Sequence, residues 1–221
     1  AWDGEEGDEP IEVEAADLFT KYADTTWEEL KQDELNEEML DSASNIGTGI
    51  LHYYLDTSIT GGNTLKWIGA MRGESIDAVN YFPGNPQNRD VQKQPYNIIT
   101  HRDLVANVKE EAKKNGVKPE HIEMIKSDSE TQDQAYDMAK HELRNSDKVT
   151  VITKYWKEVA QIPEAKPTVH FMKVASGVII KPKTNMRIKR YPLVVLQWDR
   201  RKKSIFGIGD TEGLIPNQKA I

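Results

Sequence analysis

The feature that most restricts the fold is the run at residues 191–221, YPLVVLQWDRRKKSIFGIGDTEGLIPNQKAI. Pro192-Leu193-Val194-Val195-Leu196 is apolar, rich in β-branched residues and short, which predicts a buried strand. Trp198 and Asp199 end it, and Arg200, Arg201, Lys202 and Lys203 turn the chain back into water. Two glycines in Ser204-Ile205-Phe206-Gly207-Ile208-Gly209 permit a tight or left-handed backbone. Carboxylates at Asp210 and Glu212 suit the positive end of a new helix, which Leu214-Ile215-Pro216-Asn217-Gln218 continues. The sequence ends at Ile221 with no capping signal, so this helix is expected to be cut soon after it begins.

The preceding chain must supply the partners of that strand. Residues 1–10 are acidic and Gly-containing and are expected to form a frayed end. Across residues 11–46 the period is helical: Leu18, Phe19, Tyr22, Ala23, Trp27 and Leu30 return at three- and four-residue steps, expected as core packing. Thr26, with Glu29 three residues on, reads as the capping box of a second helix. Met39, Leu40, Ala43 and Ile46 carry the stripe to Gly47-Thr48-Gly49, which ends it.

Ile50-Leu51-His52-Tyr53-Tyr54-Leu55 predicts a strand, Gly61-Gly62-Asn63 a turn, and residues 65–71 the returning arm of a hairpin. Residues 74–79 are expected as a third strand and 83–95 as a long irregular loop. A strand at 96–102 is followed by a helix capped by Asp103, with Leu104, Val105, Val108 and Ala112 inward. Pro119 opens a short helix through Ile125. Residues 127–135 hold a polar run expected to be mobile, and Met138, His141 and Glu142 a loose helix. Residues 148–157, KVTVITKYWK, alternate strongly, placing Val149, Val151, Thr153 and Tyr155 on one side. Residues 162–167 read as a loop, 168–174 answer as a strand, Ala175-Ser176-Gly177 turns, and Val178-Ile179-Ile180 returns. The expected class is α+β, with N-terminal helices packed on an antiparallel meander in one domain at 11–209.

Chemistry is harder to place. No Gly-Lys-Ser/Thr ending follows the glycines at 47–49 or 61–62, no Gly-x-Ser-x-Gly elbow is present, and there is no cysteine. His101-Arg102-Asp103 matches a kinase catalytic tripeptide, but Val108 stands where that motif needs asparagine and no Asp-Phe-Gly follows. His52, His101, His121, His141 and His170 are scattered, and His141 with Glu142 has no HExxH-like partner. Neither an enzyme nor a metal or cofactor site is expected. The absence of cysteine fits a reducing cytoplasm, and no apolar run approaches the length of a membrane span or signal peptide. The formal net charge of -7 hides an acidic start and a basic last third around Lys181, Lys183, Arg187, Lys189 and Arg190. Solvated faces and neighbouring subunits meeting through opposite charge both fit. A protein gripping DNA along its whole surface would be basic overall.

Taken in order, Tyr191-Pro192, Trp198, Gly207-Ile208-Gly209 and Leu214-Ile215-Pro216-Asn217-Gln218 resemble the portal (head-to-tail connector) proteins of tailed bacteriophages. In that family a "YP-apolar-W" strand leads through a basic turn and "G-I-G" into a long helix. Gly73-Glu74, Ile76-Asp77 and Asn80-Tyr81-Phe82 are similar to a second family pattern. The resemblance is strongest at 191–218, fair at 73–102 and 148–155, and vague before Gly47.

The resemblance implies a structural subunit of a ring, commonly dodecameric, at one capsid vertex of a phage or prophage particle assembled in the bacterial cytoplasm. Double-stranded DNA would pass through that ring during packaging and ejection. Partners would be further copies, the major capsid protein, terminase and head-tail adaptors; no membrane is implied, and the packaging hydrolysis belongs to terminase. The chain corresponds to a peripheral wing domain, with residues 210–221 the start of the stem helix, so terminase-docking and tunnel residues are expected beyond Ile221. Arg200, Arg201, Lys202 and Lys203 are candidates for subunit or DNA contact, against the alternative of a plain solvated turn. The competing functional reading is an unrelated, non-catalytic α+β protein-interaction domain.

Overall fold

The computed structural model describes residues 10–62, 66–128, 147–159 and 166–219. In chain order the elements are α1 (Pro10–Glu29), α2 (Gln32–Ile46), β1 (Thr48–Gly61), β2 (Trp67–Ile76), β3 (Tyr81–Pro83), β4 (Tyr96–Leu104) and α3 (Val105–Lys114). They continue as α4 (Pro119–Glu123), β5 (Lys148–Glu158), β6 (Thr168–Ala175), β7 (Val178–Asn185), β8 (Leu193–Gln197) and α5 (Asp210–Lys219). The class is α+β, with antiparallel sheets ordered β2-β1-β8 and β3-β4-β5-β6-β7. The stretch 11–209, expected as one domain, is shared between two compact units. The first comprises 1–77, 192–201 and 206–221, the second 78–191 and 202–205. The expectations for the frayed end at 1–9, for Asn63 and Leu65, for 129–135, for Met138, His141 and Glu142, and for 162–165 lie outside the described residues.

In the first unit β1 and β2 form the expected hairpin, Ile50 opposite Ile76 and Asp56 opposite Ala70. Residues 74–76, expected to open a third strand, are instead the end of β2, and Ala78–Asn80 turns as a 3-10 helix. β8 pairs along the other side of β1, Ile50 opposite Val195, so it leaves the expected meander and forms an edge. Leu193 is buried, Val194 is exposed and Val195, Leu196 and Gln197 are partly covered: the apolar run is an edge strand, not a fully buried one. One side of the hairpin is closed by α2. Leu35 and Met39 crowd Gly73 and Gly49, where side chains would collide, and the Tyr53 hydroxyl donates to Gln32 Oε1 at 3.0 Å.

The helices break later than the capping box suggests. Thr26 lies inside α1 and its hydroxyl donates back to the Tyr22 carbonyl at 2.8 Å. The chain turns instead at Lys31, in a left-handed conformation (φ 51°), before α2 starts at Gln32. Four-residue back-bonding competes with capping, so a capping-box pattern alone does not place a boundary. At the other end the expectation holds: Gly47 ends α2 at φ 88°, donating to the Ala43 carbonyl at 2.8 Å.

The second unit is a consecutive meander, with register Asn97 opposite Tyr155 and Tyr155 opposite Phe171. Its core lies on the side the alternation assigned: Val149, Val151, Thr153 and Tyr155 are all buried. There α3 and α4 bring Val108, Ala112 and Ile125 onto Val149, Val151, Ala175 and Ile180. Each buried Val or Ile side chain there contributes roughly 1.5–3 kcal/mol relative to solvent. Two expectations shift slightly. Leu104 precedes α3 and is exposed, not inward, and Asp103 sits in β4, its carboxylate accepting from Leu104 N and Asn107 Nδ2. α4 ends at Glu123, although Ile125 still reaches the core. The β6–β7 turn uses Ser176 and Gly177, both at positive φ, as a tight hairpin requires.

Candidate interaction surfaces

Within the motif, residues 198–201 and 206–212 build a backbone clasp in the first unit. Trp198 N donates to the Gly47 carbonyl (3.0 Å), Asp199 and Ile208 bridge antiparallel, and Gly207 N donates to Thr48 Oγ1 (2.9 Å). A Cβ on Gly207 would lie 2.2 Å from the Gly47 oxygen, and one on Gly209 2.4 Å from the Asn45 oxygen. The glycines at 207 and 209 therefore serve close backbone approach; neither has the positive φ their sequence allowed. Ties also fix the start of α5: Trp198 Nε1 donates to Asp210 (3.1 Å), Thr211 donates to the Asn45 carbonyl, and Arg201 forks onto Glu212 (2.9 and 3.1 Å). Beyond this anchored turn, Leu214 and Ile215 stand about half in solvent.

The division between the two units falls within the run of four candidate cations. Arg200 and Arg201 belong to the first unit and Lys202 and Lys203 to the second. All are exposed, and Arg201 is engaged with Glu212. Lys203 adopts φ 54°, which marks a turn.

Two surfaces escaped the sequence. The first is the α1 stripe expected to be core: Leu18, Phe19, Tyr22 and Trp27 are 49–69% exposed. Amphipathic period reports that a face is apolar, not that a partner in the same chain covers it. Burying such side chains is favourable by about 1.5–3 kcal/mol each, so this face is a strong candidate for contact. The second is the outer face of the five-stranded sheet, opposite α3 and α4. Cross-strand register aligns Tyr96, Trp156 and His170 in one row and Phe82, Ile98, Lys154 and Met172 in the next. Lys154 Nζ sits 4.9 Å from the Tyr96 ring and 6.0 Å from Trp156, which stacks on His170 at 6.1 Å. Phe82, Ile152 and Ile179 on this face are 41–51% exposed. The clue was present in KVTVITKYWK, whose second face carries Ile152 and Trp156 among Lys148, Thr150 and Lys154.

The buried polar groups do structural work. Tyr81 donates to Asn97 Oδ1 at 2.7 Å, and burial, then Tyr191, pushes its hydroxyl far above the usual phenol range. Among the described residues Asn97 Nδ2 has no hydrogen-bond partner. Gln92 and Gln94 hold the irregular stretch 84–95: Gln94 bonds Asn85 and Asn88, and Gln92 both backbone groups of Tyr191. Lys157 donates to the Gln92 carbonyl (2.7 Å) over the Tyr191 ring (4.6 Å), and burial lowers its pKa. His52 pairs with Glu74 at 2.7 Å across the hairpin. The His101-Arg102-Asp103 tripeptide is spent on β4 pairing and the start of α3. Among the described residues no cluster of three or more His, Asp or Glu could hold a metal ion, and no helix is long and apolar enough to cross a membrane.

Charge divides with the fold. The first unit's segments carry 22 Asp and Glu against 7 Lys and Arg, a formal −15; the second unit's carry 14 against 22, a formal +8. No protein-family model matches the chain, and no curated protein sequence matches it.

Proposed function

We propose that this chain is a structural subunit of a phage portal ring, a conduit for double-stranded DNA and a platform for head and tail assembly. The observation that carries the reading is the clasp built by residues 198–201 and 206–212. The residues of the portal-like motif are the ones that fold β8 back through Gly207 and Gly209 and launch α5 from an anchored first turn. Leu214 and Ile215, left exposed just beyond it, suit a helix that packs against neighbours. The exposed α1 and outer sheet faces are the kind of surface a ring subunit shields in its assembly. The work in this reading is mechanical and electrostatic: copies pack, hold a channel open, and present docking faces to capsid protein, terminase and adaptors.

Electron microscopy of the assembled chain tests the proposal. Closed rings with a central channel are expected. Particles without rotational symmetry, or a lone monomer, would favour the alternative of an unrelated, non-catalytic interaction domain.

A further inference from the structure

We propose that the outer face of the five-stranded sheet binds single-stranded nucleic acid, with bases resting on Tyr96, Trp156 and His170 and the backbone drawn to Lys154. The inference goes beyond the ring reading and stands apart from it, since α1 and α5 leave exposed apolar side chains elsewhere for contact between copies.

Sequence and register build the face. β5 sends Val149 and Val151 inward to meet α3 and α4, so its two-residue period turns Ile152, Lys154 and Trp156 to the opposite side. Antiparallel pairing then sets Tyr96 and His170 directly beside Trp156, one on each flank. Three rings thus form one row across three adjacent strands, and all three are partly exposed.

Charge selects an anionic ligand. Among the described residues Glu158 is the one carboxylate that the strands place on this face; it accepts from Trp156 Nε1 at 2.6 Å and is paired to Lys183. Lys154 is held by rings instead, its ammonium 4.9 Å from the Tyr96 centroid and 6.0 Å from that of Trp156. The segments of this unit sum to a formal +8, within a chain of formal −7. A strand of nucleic acid needs both things found here, aromatic surface for its bases and positive charge for its backbone. An acidic peptide would use the charge but not the row of rings.

Spacing selects a single strand. The centroids of Trp156 and His170 lie 6.1 Å apart. Neighbouring bases in a duplex strand are only ~3.4 Å apart. Bases seated on adjacent rings are therefore drawn away from each other, which a single strand permits and a paired helix resists. Stacking accepts any base, so little sequence preference is expected.

Fluorescence anisotropy of a labelled oligothymidine of ~15 bases, with the whole chain at low salt, tests this. The parent is expected to bind it at least about tenfold more tightly than a duplex of the same length. Trp156→Leu should weaken binding about 5- to 150-fold without changing its salt dependence, and Trp156→Phe, which keeps a ring, should retain most of the affinity. Lys154→Gln should weaken binding and flatten the slope of log affinity against log salt by about 0.7, the loss of one phosphate contact. Circular dichroism checks that each variant is folded. Where Trp156→Leu does not fold, tryptophan fluorescence decides: unlabelled oligothymidine should quench the parent, and quench Trp156→Phe less. No binding by the parent, equal affinity for the duplex, equal competition by polyglutamate, or parent-like affinity in Trp156→Leu would overturn the proposal. Binding of polyglutamate or of anionic lipid vesicles without oligothymidine would overturn it too, and assign the face to an acidic protein or a membrane surface.

Discussion

Gly207→Ala is expected to be among the most damaging single-methyl changes in the molecule. The new carbon would sit 2.2 Å from the Gly47 oxygen, 2.9 Å from the Asp199 oxygen and 3.2 Å from Trp198 N, all backbone atoms that no rotamer change can move. Relieving the contact needs a shift of about 1 Å, since carbon atoms settle near ~3.5 Å from their neighbours. That shift strains the Trp198–Gly47 and Gly207–Thr48 hydrogen bonds, 3.0 and 2.9 Å long. Overpacking costs about 1–3 kcal/mol and each weakened hydrogen bond about 1 kcal/mol, so roughly 3–5 kcal/mol is expected. Gly213→Ala, six residues on, is the matched control: nothing lies within 4 Å of its added methyl, and it sits inside α5. Alanine there is expected to stabilise by about 0.5–1 kcal/mol. Urea unfolding of both variants, with hydrogen exchange at the Trp198 and Ile208 amides, reads the difference. Exchange should quicken by about a hundredfold or more in Gly207→Ala, since ~1.4 kcal/mol is tenfold. Stability within about 0.5 kcal/mol of the parent, or equal damage from Gly213→Ala, would refute the close-approach explanation.

Three further outcomes are expected. Ile180→Ala, at a fully buried position of the second unit's core, should lower stability by about 2–5 kcal/mol in urea unfolding. Tyr81 holds its proton far more tightly folded than at its ordinary value of 10.0, so stability should fall as pH rises above that value, by about 1.4 kcal/mol per pH unit. Tyr81→Phe should show a shallower alkaline decline, at a neutral-pH cost of about 1–3 kcal/mol because the buried Asn97 oxygen loses its donor; equal slopes in the two proteins would contradict this. Arg201→Ala removes a half-exposed ion pair to Glu212 and should cost under about 1 kcal/mol, shrinking as salt is added.

Legibility followed the kind of signal each segment carried. Alternation in KVTVITKYWK assigned the buried face of β5 correctly because one strand face meets α3 and α4, a contrast that period two expresses directly. Gly47 ended α2, and Ser176-Gly177 turned β6 into β7, because both sites need left-handed backbone. Gly207 and Gly209 were visible as glycines, but their reason was not: the collision they avoid involves residues 45–47, far away in sequence. The capping-box pattern at Thr26 failed because its hydroxyl found the Tyr22 carbonyl instead. β8 read as buried because composition does not reveal that a strand lies at an edge. The largest difference is α1, whose stripe promised a core and stands in solvent; period alone is silent about which chain supplies the covering surface.

The most direct measurement of the assembly reading is the solution mass of the chain, by light scattering, over a wide concentration range at low and high salt. A concentration-driven rise to one fixed multiple of 25.1 kDa, reversed by salt, is expected of a ring built through unlike charges. A constant monomer mass under every condition would contradict it.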